Sequence, residues 1–254
     1  MARLSAIFLL ALFLAATVRA EWTVTSSQTE RGPAAGVEHR RIILTESEIN
    51  QRATLDLALF SPKSATLRVI DNPTGENDLA TVMPRENCLA GVNGGYFDPA
   101  NKPVGLLISG GKVIAPLRKA RLLSGVMLVS NGQLQLLRTA EYSSKRKPTE
   151  ALQCGPFLVD RGQPVPGLND TRAARRTFVF TAADRAAIGF CSGVTLAQVA
   201  KILVAPELAP GLKVQRALNL DGGSSSAFWF AREGDPFSIS EQKTVRNFVA
   251  LGPK

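Results

Sequence analysis

The sequence predicts an α+β fold, with a mixed, largely antiparallel β-sheet core and a few packed helices. Three observations carry that prediction. Short apolar runs alternate with turn signals along most of the chain. Several of those runs pair across short Gly/Asn/Asp/Ala turns as hairpins. Helical periodicity is clear in a single segment, which leaves the helices to pack on a sheet rather than to build the core.

Residues 1–20 read as a secretory signal peptide, and they are kept out of the fold. Arg3 gives a positive start, Ala6 to Ala16 is apolar, and Val18-Arg19-Ala20 places small residues before a cut. The apolar stretch is shorter than the ~20 residues of a membrane span. Residues 21–64 form an N-terminal segment, and 65–254 a single globular unit. Glu21 to Glu38 is polar and reads as loosely ordered, and Glu46 to Ala53 as a weak helix. Arg41 to Leu44 and Ala65 to Ile70 alternate as strands. Hairpins follow at Val104 to Ala115 around Ser109-Gly110-Gly111 and at Gly125 to Leu137 around Ser130-Asn131-Gly132. Phe157 to Val159 leads into the turn Asp160-Arg161-Gly162, and Thr177 to Cys191 folds back at Ala182-Ala183-Asp184. The clear helix starts at Thr195, with Gln198 three residues on as a capping box. Leu196, Val199, Ala200 and Leu203 share one face, and Pro206 and Pro210 stop the helix. Phe248 to Leu251 is the last strand.

Composition narrows the function. The 254 residues carry 30 Lys and Arg against 21 Asp and Glu, a net charge of +9. The basic residues cluster at Arg40-Arg41, Lys145 to Lys147 and Arg172 to Arg176, and each cluster reads first as solvated surface. No aromatic interleaving accompanies them, so nucleic acid is not indicated, whereas an anionic substrate is compatible. Cys88, Cys154 and Cys191 in an exported chain suggest one disulfide and one spare thiol, with the pairing open. His39 is the single histidine, which disfavours a Ser–His reading of Ser224 to Ser226.

Two corners concentrate the chemistry. Cys88 to Val92 and Val214 to Leu218 read as buried strands, followed by Asn93-Gly94-Gly95-Tyr96-Phe97-Asp98 and Asn219-Leu220-Asp221-Gly222-Gly223-Ser224-Ser225. Each ends in an Asn, a Gly-Gly pair and a carboxylate. An amide buried there without a partner costs roughly 2–7 kcal/mol. The glycines let the backbone approach something closely. Two such corners suggest one site built from two strand ends.

With Gln153 to Val159 (containing Cys154-Gly155-Pro156) and Arg176-Thr177 between them, the corners form an ordered set spread over about 130 residues. This set resembles the phosphodiester glycosidase family, in particular its exported bacterial branch, over roughly Ala65 to Leu251. The resemblance implies an exported hydrolase that cleaves the C–O bond between a sugar and a phosphodiester in an envelope or extracellular glycan. Such a bond breaks through an oxocarbenium-like state that a carboxylate stabilises or traps. Asp221 is the candidate carboxylate, and Asp98 a second acid or base. The phosphate already leaves well, so the cation Arg176 replaces proton donation. Asn93, Gly94, Gly95, Gly155, Thr177, Asn219, Gly222, Gly223, Ser224, Ser225 and Asn247 are the candidate binding and loop-shaping residues. The family's terminal basic residue and Val-Pro-Asn become Lys243-Thr244-Val245-Arg246-Asn247 here, with Lys243 or Arg246 to meet the substrate. No cofactor is expected, though calcium remains open through Asp221 and carbonyl oxygens. A glycan-binding module without activity and a phosphodiesterase cutting P–O are the alternatives. The oligomeric state is not readable.

Overall fold

The computed structural model describes residues 22–208 and 212–254. The signal-peptide reading and Pro210 fall outside them. The chain begins with β1 (Trp22–Arg31), β2 (Val37–Glu46), β3 (Gln51–Phe60) and β4 (Ala65–Asp71), then α1 (Leu79–Arg85) and β5 (Ala90–Asn93). Next come β6 (Leu107–Ser109), β7 (Lys112–Ala115), β8 (Gly125–Ser130), β9 (Gln133–Arg138) and β10 (Glu150–Cys154). Then follow β11 (Phe157–Asp160), β12 (Gln163–Pro164), β13 (Ala174–Thr181), β14 (Ala186–Val194) and α2 (Leu196–Val204). The last strands are β15 (Arg216–Asn219), β16 (Phe228–Phe230), β17 (Phe237–Ile239) and β18 (Asn247–Pro253).

These strands make three sheets. One has eight strands in the order β1-β2-β3-β14-β13-β15-β11-β12; the others have five, β7-β6-β10-β8-β9 and β17-β16-β5-β18-β4. Every pairing between named strands is antiparallel. The largely antiparallel core and the helices packed on it are present; with only two short helices among the described residues, the architecture is more largely β than the α+β expectation. All three sheets turn an apolar face inward, where Phe60, Phe157, Phe190, Phe228 and Phe230 join Leu67, Leu107, Met127, Leu152 and Leu218. α2 covers the opposite face of the eight-stranded sheet with Val199, Ala200, Ile202 and Leu203. α1 covers the outer face of the β5 sheet beside Trp229 and Phe248.

Two N-terminal expectations fail for physical reasons. The polar stretch after residue 21 forms an edge strand: Trp22 anchors β1, and its Ser and Thr residues alternate outward to solvent. The weak helix expected over Glu46 to Ala53 is a hairpin joining β2 to β3. The buried Glu46 carboxylate accepts from the Glu48 and Ile49 amides at 3.2 and 3.0 Å, and Asn50 takes the left-handed conformation at φ +51°. A local turn that satisfies its own amides competes with helix. α1 had no counterpart in the sequence reading, because its apolar face is only Leu79, Val82 and Met83.

No disulfide forms. Cys88, Cys154 and Cys191 are all free and buried, as small apolar groups in the cores of different layers. Among the described residues, no helix is long and apolar enough to cross a membrane.

The capping box of α2 forms as its spacing predicts. Thr195 Oγ1 accepts from the Gln198 amide at 3.1 Å, and Gln198 Oε1 accepts from the Thr195 amide at 2.9 Å. Thr195→Ala is expected to lower stability by about 1 kcal/mol. Urea unfolding reads it as a lower midpoint with an unchanged slope.

Candidate active site

The two corners converge because one buried amide joins them. Asn93, at the end of β5, is wholly buried. Its Nδ2 donates to the Asp221 carbonyl at 2.7 Å, and its Oδ1 accepts from the Ala227 amide at 3.1 Å. Thr177 Oγ1, on β13, lies 2.8 Å from Asn93 Oδ1 and 2.7 Å from the same Asp221 carbonyl, so its single proton is shared between them. Backbone bonds complete the clamp: Asp221 N donates to Gly94 O at 3.0 Å and Leu220 N to Thr177 O at 2.9 Å. Leaving any one of these buried groups unpaired costs about 1–3 kcal/mol. The backbone of Asp221 is therefore fixed from both sides.

Asn247 holds the first corner from behind. Its carbonyl accepts from Gly94 N and its side-chain Oδ1 from Gly95 N, each at 2.8 Å. A Cβ on Gly94 would fall on the Asn247 side chain, so the approach requires glycine. Gly223 adopts φ +68° as the chain turns after Asp221 into a short 3-10 turn over Gly223–Ser225. Tyr96 donates to the Gly155 carbonyl at 2.5 Å, and Asn219 Nδ2 donates to the same oxygen at 2.9 Å.

A cleft of about 400 Å³ opens beside this clamp. Tyr96, Asn219, Asp221 and Arg176 line it, with Arg172 and Asn169 on the opposing loop and Leu122, Pro156 and Leu196 as apolar walls. Gly222 and Gly223 also face it. Arg176 is nearly buried. Its Nε donates to the Val194 carbonyl at 3.1 Å and its Nη2 to the Arg172 carbonyl at 2.6 Å. Among the described residues no carboxylate pairs with it. Burial and the neighbouring Arg172 both pull its pKa down, burial more strongly. An anion in the cleft relieves both costs.

Burial pushes the Asp221 carboxyl above the ordinary aspartate range. Ser225, the Gly222 amide and the charge of Lys243 work in the other direction. Gly222 N donates to Asp221 Oδ1 at 2.9 Å. Ser225 faces the carboxylate, although its Oγ lacks a hydrogen bond of normal geometry. Burial raises the Tyr96 phenol most of all, which keeps it a donor. Ser225 Oγ, Ser226 Oγ, Asn219 Oδ1 and Asn247 Nδ2 are buried without partners among the described residues. Such groups are uncommon in a folded protein, and of the four residues Asn219 lines the cleft itself.

The candidate residues divide. Asp221, Arg176, Asn219, Gly222 and Gly223 line the cleft. Asn93, Thr177, Gly94, Gly95, Gly155 and Asn247 shape it from behind. Ser224 offers its carbonyl to the Gln242 amide at 2.7 Å. Asp98 does not reach the cleft. Its Oδ1 accepts from the Ala100 and Lys102 amides, each at 2.9 Å, so the Asp-Pro turn uses the carboxylate locally. Arg246 forms an ion pair with Asp71 on β4 and is not among the residues that line the cleft. Lys243 lies exposed, with Nζ 5.3 Å from the centre of the Phe97 ring, and reaches Asp221 through its field alone. Tyr96, Asn169 and Arg172 were missed as lining residues. Tyr96 sat inside a recognised corner, and Arg172 in a basic cluster read as solvated surface. Among the described residues no three His, Cys, Asp or Glu side chains gather as a metal site.

A family model described as phosphodiester glycosidase matches residues 86–251. The chain belongs to the phosphodiester glycosidase family. That family places it among hydrolases acting on sugar phosphodiesters. No curated protein matches its sequence. Its fold is similar to that of a hypothetical protein from Synechocystis, at TM-score 0.60 and 15% identity over 92% of this chain and 68% of that one. It is also similar to the zebrafish N-acetylglucosamine-1-phosphodiester alpha-N-acetylglucosaminidase catalytic domain auto-inhibited by its pro-peptide. There the TM-score is 0.58 and the identity 16%, over 93% of this chain and 83% of that one. At these identities the likeness is one of fold.

Lys243 favours the ionised form of Asp221. Removing that charge in Lys243→Gln moves the Asp221 pKa further upward. The acidic limb of kcat/KM against pH is then expected to shift to higher pH. An acidic limb that stays in place or moves down contradicts this assignment.

Proposed function

We propose that this protein is an exported hydrolase that cleaves the glycosidic C–O bond of a sugar-1-phosphodiester in an envelope or extracellular glycan. One observation carries the reading: the Asp221 carboxylate and the carboxylate-free Arg176 guanidinium face the same cleft. The bond to be broken needs this pair of charges. As the anomeric carbon separates from its phosphate oxygen, positive charge grows on the sugar and negative charge on the phosphate. Asp221 meets the first charge and Arg176 the second.

The electron pair of the C–O bond stays with the phosphate oxygen, and the phosphomonoester leaves without an added proton. That is why the loss of Asp98 from the site does not weaken the reading. The backbone amides of the turn after Asp221 add neutral donors for phosphate oxygens. Water adds its oxygen to the anomeric carbon and releases one proton, which passes to solvent or to the departed phosphomonoester. The raised Asp221 pKa means that the carboxylate works above the ordinary aspartate range, where it is ionised. Export is supported by the apolar run at Ala6 to Ala16 and the small residues ahead of Glu21.

Turnover of sugar-1-phosphodiesters in ¹⁸O-labelled water tests the proposal. Label is expected in the released sugar. Label in the phosphate product would show P–O cleavage, and binding without turnover would show a glycan-binding module. Asp221→Asn is expected to cut kcat by about 10²–10³-fold or more, as for removal of a preorganised charge at a reacting centre. An Asp221→Asn protein with full activity overturns the assignment.

A further inference from the structure

His39, Arg41 and Arg232 lie outside the cleft and have no part in the proposed reaction, yet they line a cavity of their own. It measures about 440 Å³, within the range of small-molecule sites, and Gln28, Thr29, Glu30 and Phe237 complete its wall. It opens where two sheet edges meet, β1 at the edge of the eight-stranded sheet and β17 at the edge of the β5 sheet.

Its floor is rigid. His39 is 5% exposed, and its Nε2 sits 2.9 Å from Oδ1 of the fully buried Asp56. Its ring lies 4.7 Å from Phe237, 5.3 Å from Phe230 and 5.4 Å from Phe228, centre to centre. Two guanidiniums stand over the Phe237 ring, Arg41 at 5.1 Å and Arg232 at 5.9 Å. Arg232 is tethered by Glu30 at 3.2 Å and by the Asp235 carbonyl at 2.7 Å.

Arg41 is different. Its side chain is 40% exposed, and its nearest carboxylate oxygen is Asp56 Oδ1 at 3.8 Å, which His39 already engages. Among the described residues it makes no hydrogen bond. Asp56 lies under the imidazole and does not line the cavity. The cavity therefore presents the Arg41 guanidinium, held by a 3.8 Å ion pair with Asp56 but by no hydrogen bond, a second guanidinium paired with the Glu30 carboxylate in the wall, and the neutral polar side chains of Gln28 and Thr29. Planar guanidinium forks match the oxygens of a phosphate.

We propose that this cavity is a second anion site, which takes the phosphate group of a phosphorylated sugar. It is separate from the cleft. Strand register places Arg41 opposite Asp56, Asp56 opposite Phe190, and Phe190 opposite Thr177. Residues paired in this way point to the same face of the sheet. The site thus sits on the Thr177 face, three strand spacings of ~4.8 Å or roughly 14 Å away.

Because His39 is the sole histidine, its imidazole gives a unique NMR signal inside the cavity. Titration with glucose 1-phosphate is expected to shift that signal saturably, whereas glucose leaves it in place. Arg41→Gln and Arg232→Gln are each expected to weaken the response by about tenfold or more, or 1.4 kcal/mol. Arg176→Gln, in the cleft, is expected to leave it unchanged. The site is overturned by any of four results: no saturable shift up to ~10 mM ligand, a weaker affinity than any such site would be assigned; an equal response to glucose; a response intact in both arginine variants; or one abolished by Arg176→Gln. None of these results depends on whether the chain hydrolyses a phosphodiester.

Discussion

The side-chain amide of Asn93 spans the gap between two corners that lie more than a hundred residues apart, and the geometry of the cleft depends on it. It reaches the Asp221 carbonyl, the Ala227 amide and the Thr177 hydroxyl, and so joins the ends of β5 and β15 to the body of β13. Buried where water cannot compete, these bonds hold at nearly full strength. The carboxylate of Asp221 is then positioned by backbone fixed on both sides, not by its own rotamer alone. Arg176 stands one residue before Thr177 on the same strand. Anchoring β13 to the corners thus also sets where the cation stands relative to the carboxylate.

The electrostatics follow from that placement. Asp221 is pushed up by burial and partly restored by a nearby amide and by Lys243. Arg176 pays a desolvation cost, offset by two backbone carbonyls but by no carboxylate. Neither charge neutralises the other through a direct ion pair, so both stay available to a ligand of mixed charge. A sugar that becomes cationic beside a phosphate that becomes more anionic is such a ligand.

Much of this was legible in the chain, and what was not has identifiable causes. The hairpins around Gly110-Gly111, Asn131-Gly132 and Asp160-Arg161-Gly162 carry their own turn chemistry, and they form where the residues place them. The α2 cap is local too. β1 was hidden because an edge strand needs only one apolar face, and Trp22 is nearly all of it. The weak helix expected over Glu46 to Ala53 gives way to a turn because the buried Glu46 carboxylate takes the amides of Glu48 and Ile49, a local bond that periodicity does not reveal. In the site, the Asn-Gly-Gly and Asp-Gly-Gly patterns announced close backbone approach. The fate of Asp98 turned on a bond to its own loop, which competes silently with catalysis in any Asp-Pro sequence. Arg246 was decided by Asp71, a long-range partner that no local pattern reveals.

A double-mutant cycle between Asn93 and Thr177 tests the central claim most directly. Stabilities of Asn93→Ala, Thr177→Val and the double variant, measured by urea unfolding, give the coupling energy. The account predicts a coupling of about 1 kcal/mol or more, within the ~0.5–3 kcal/mol range for residues in one buried network. Additivity within about 0.3–0.5 kcal/mol would mean that the two side chains act independently. The clamp on Asp221 would then not exist as described.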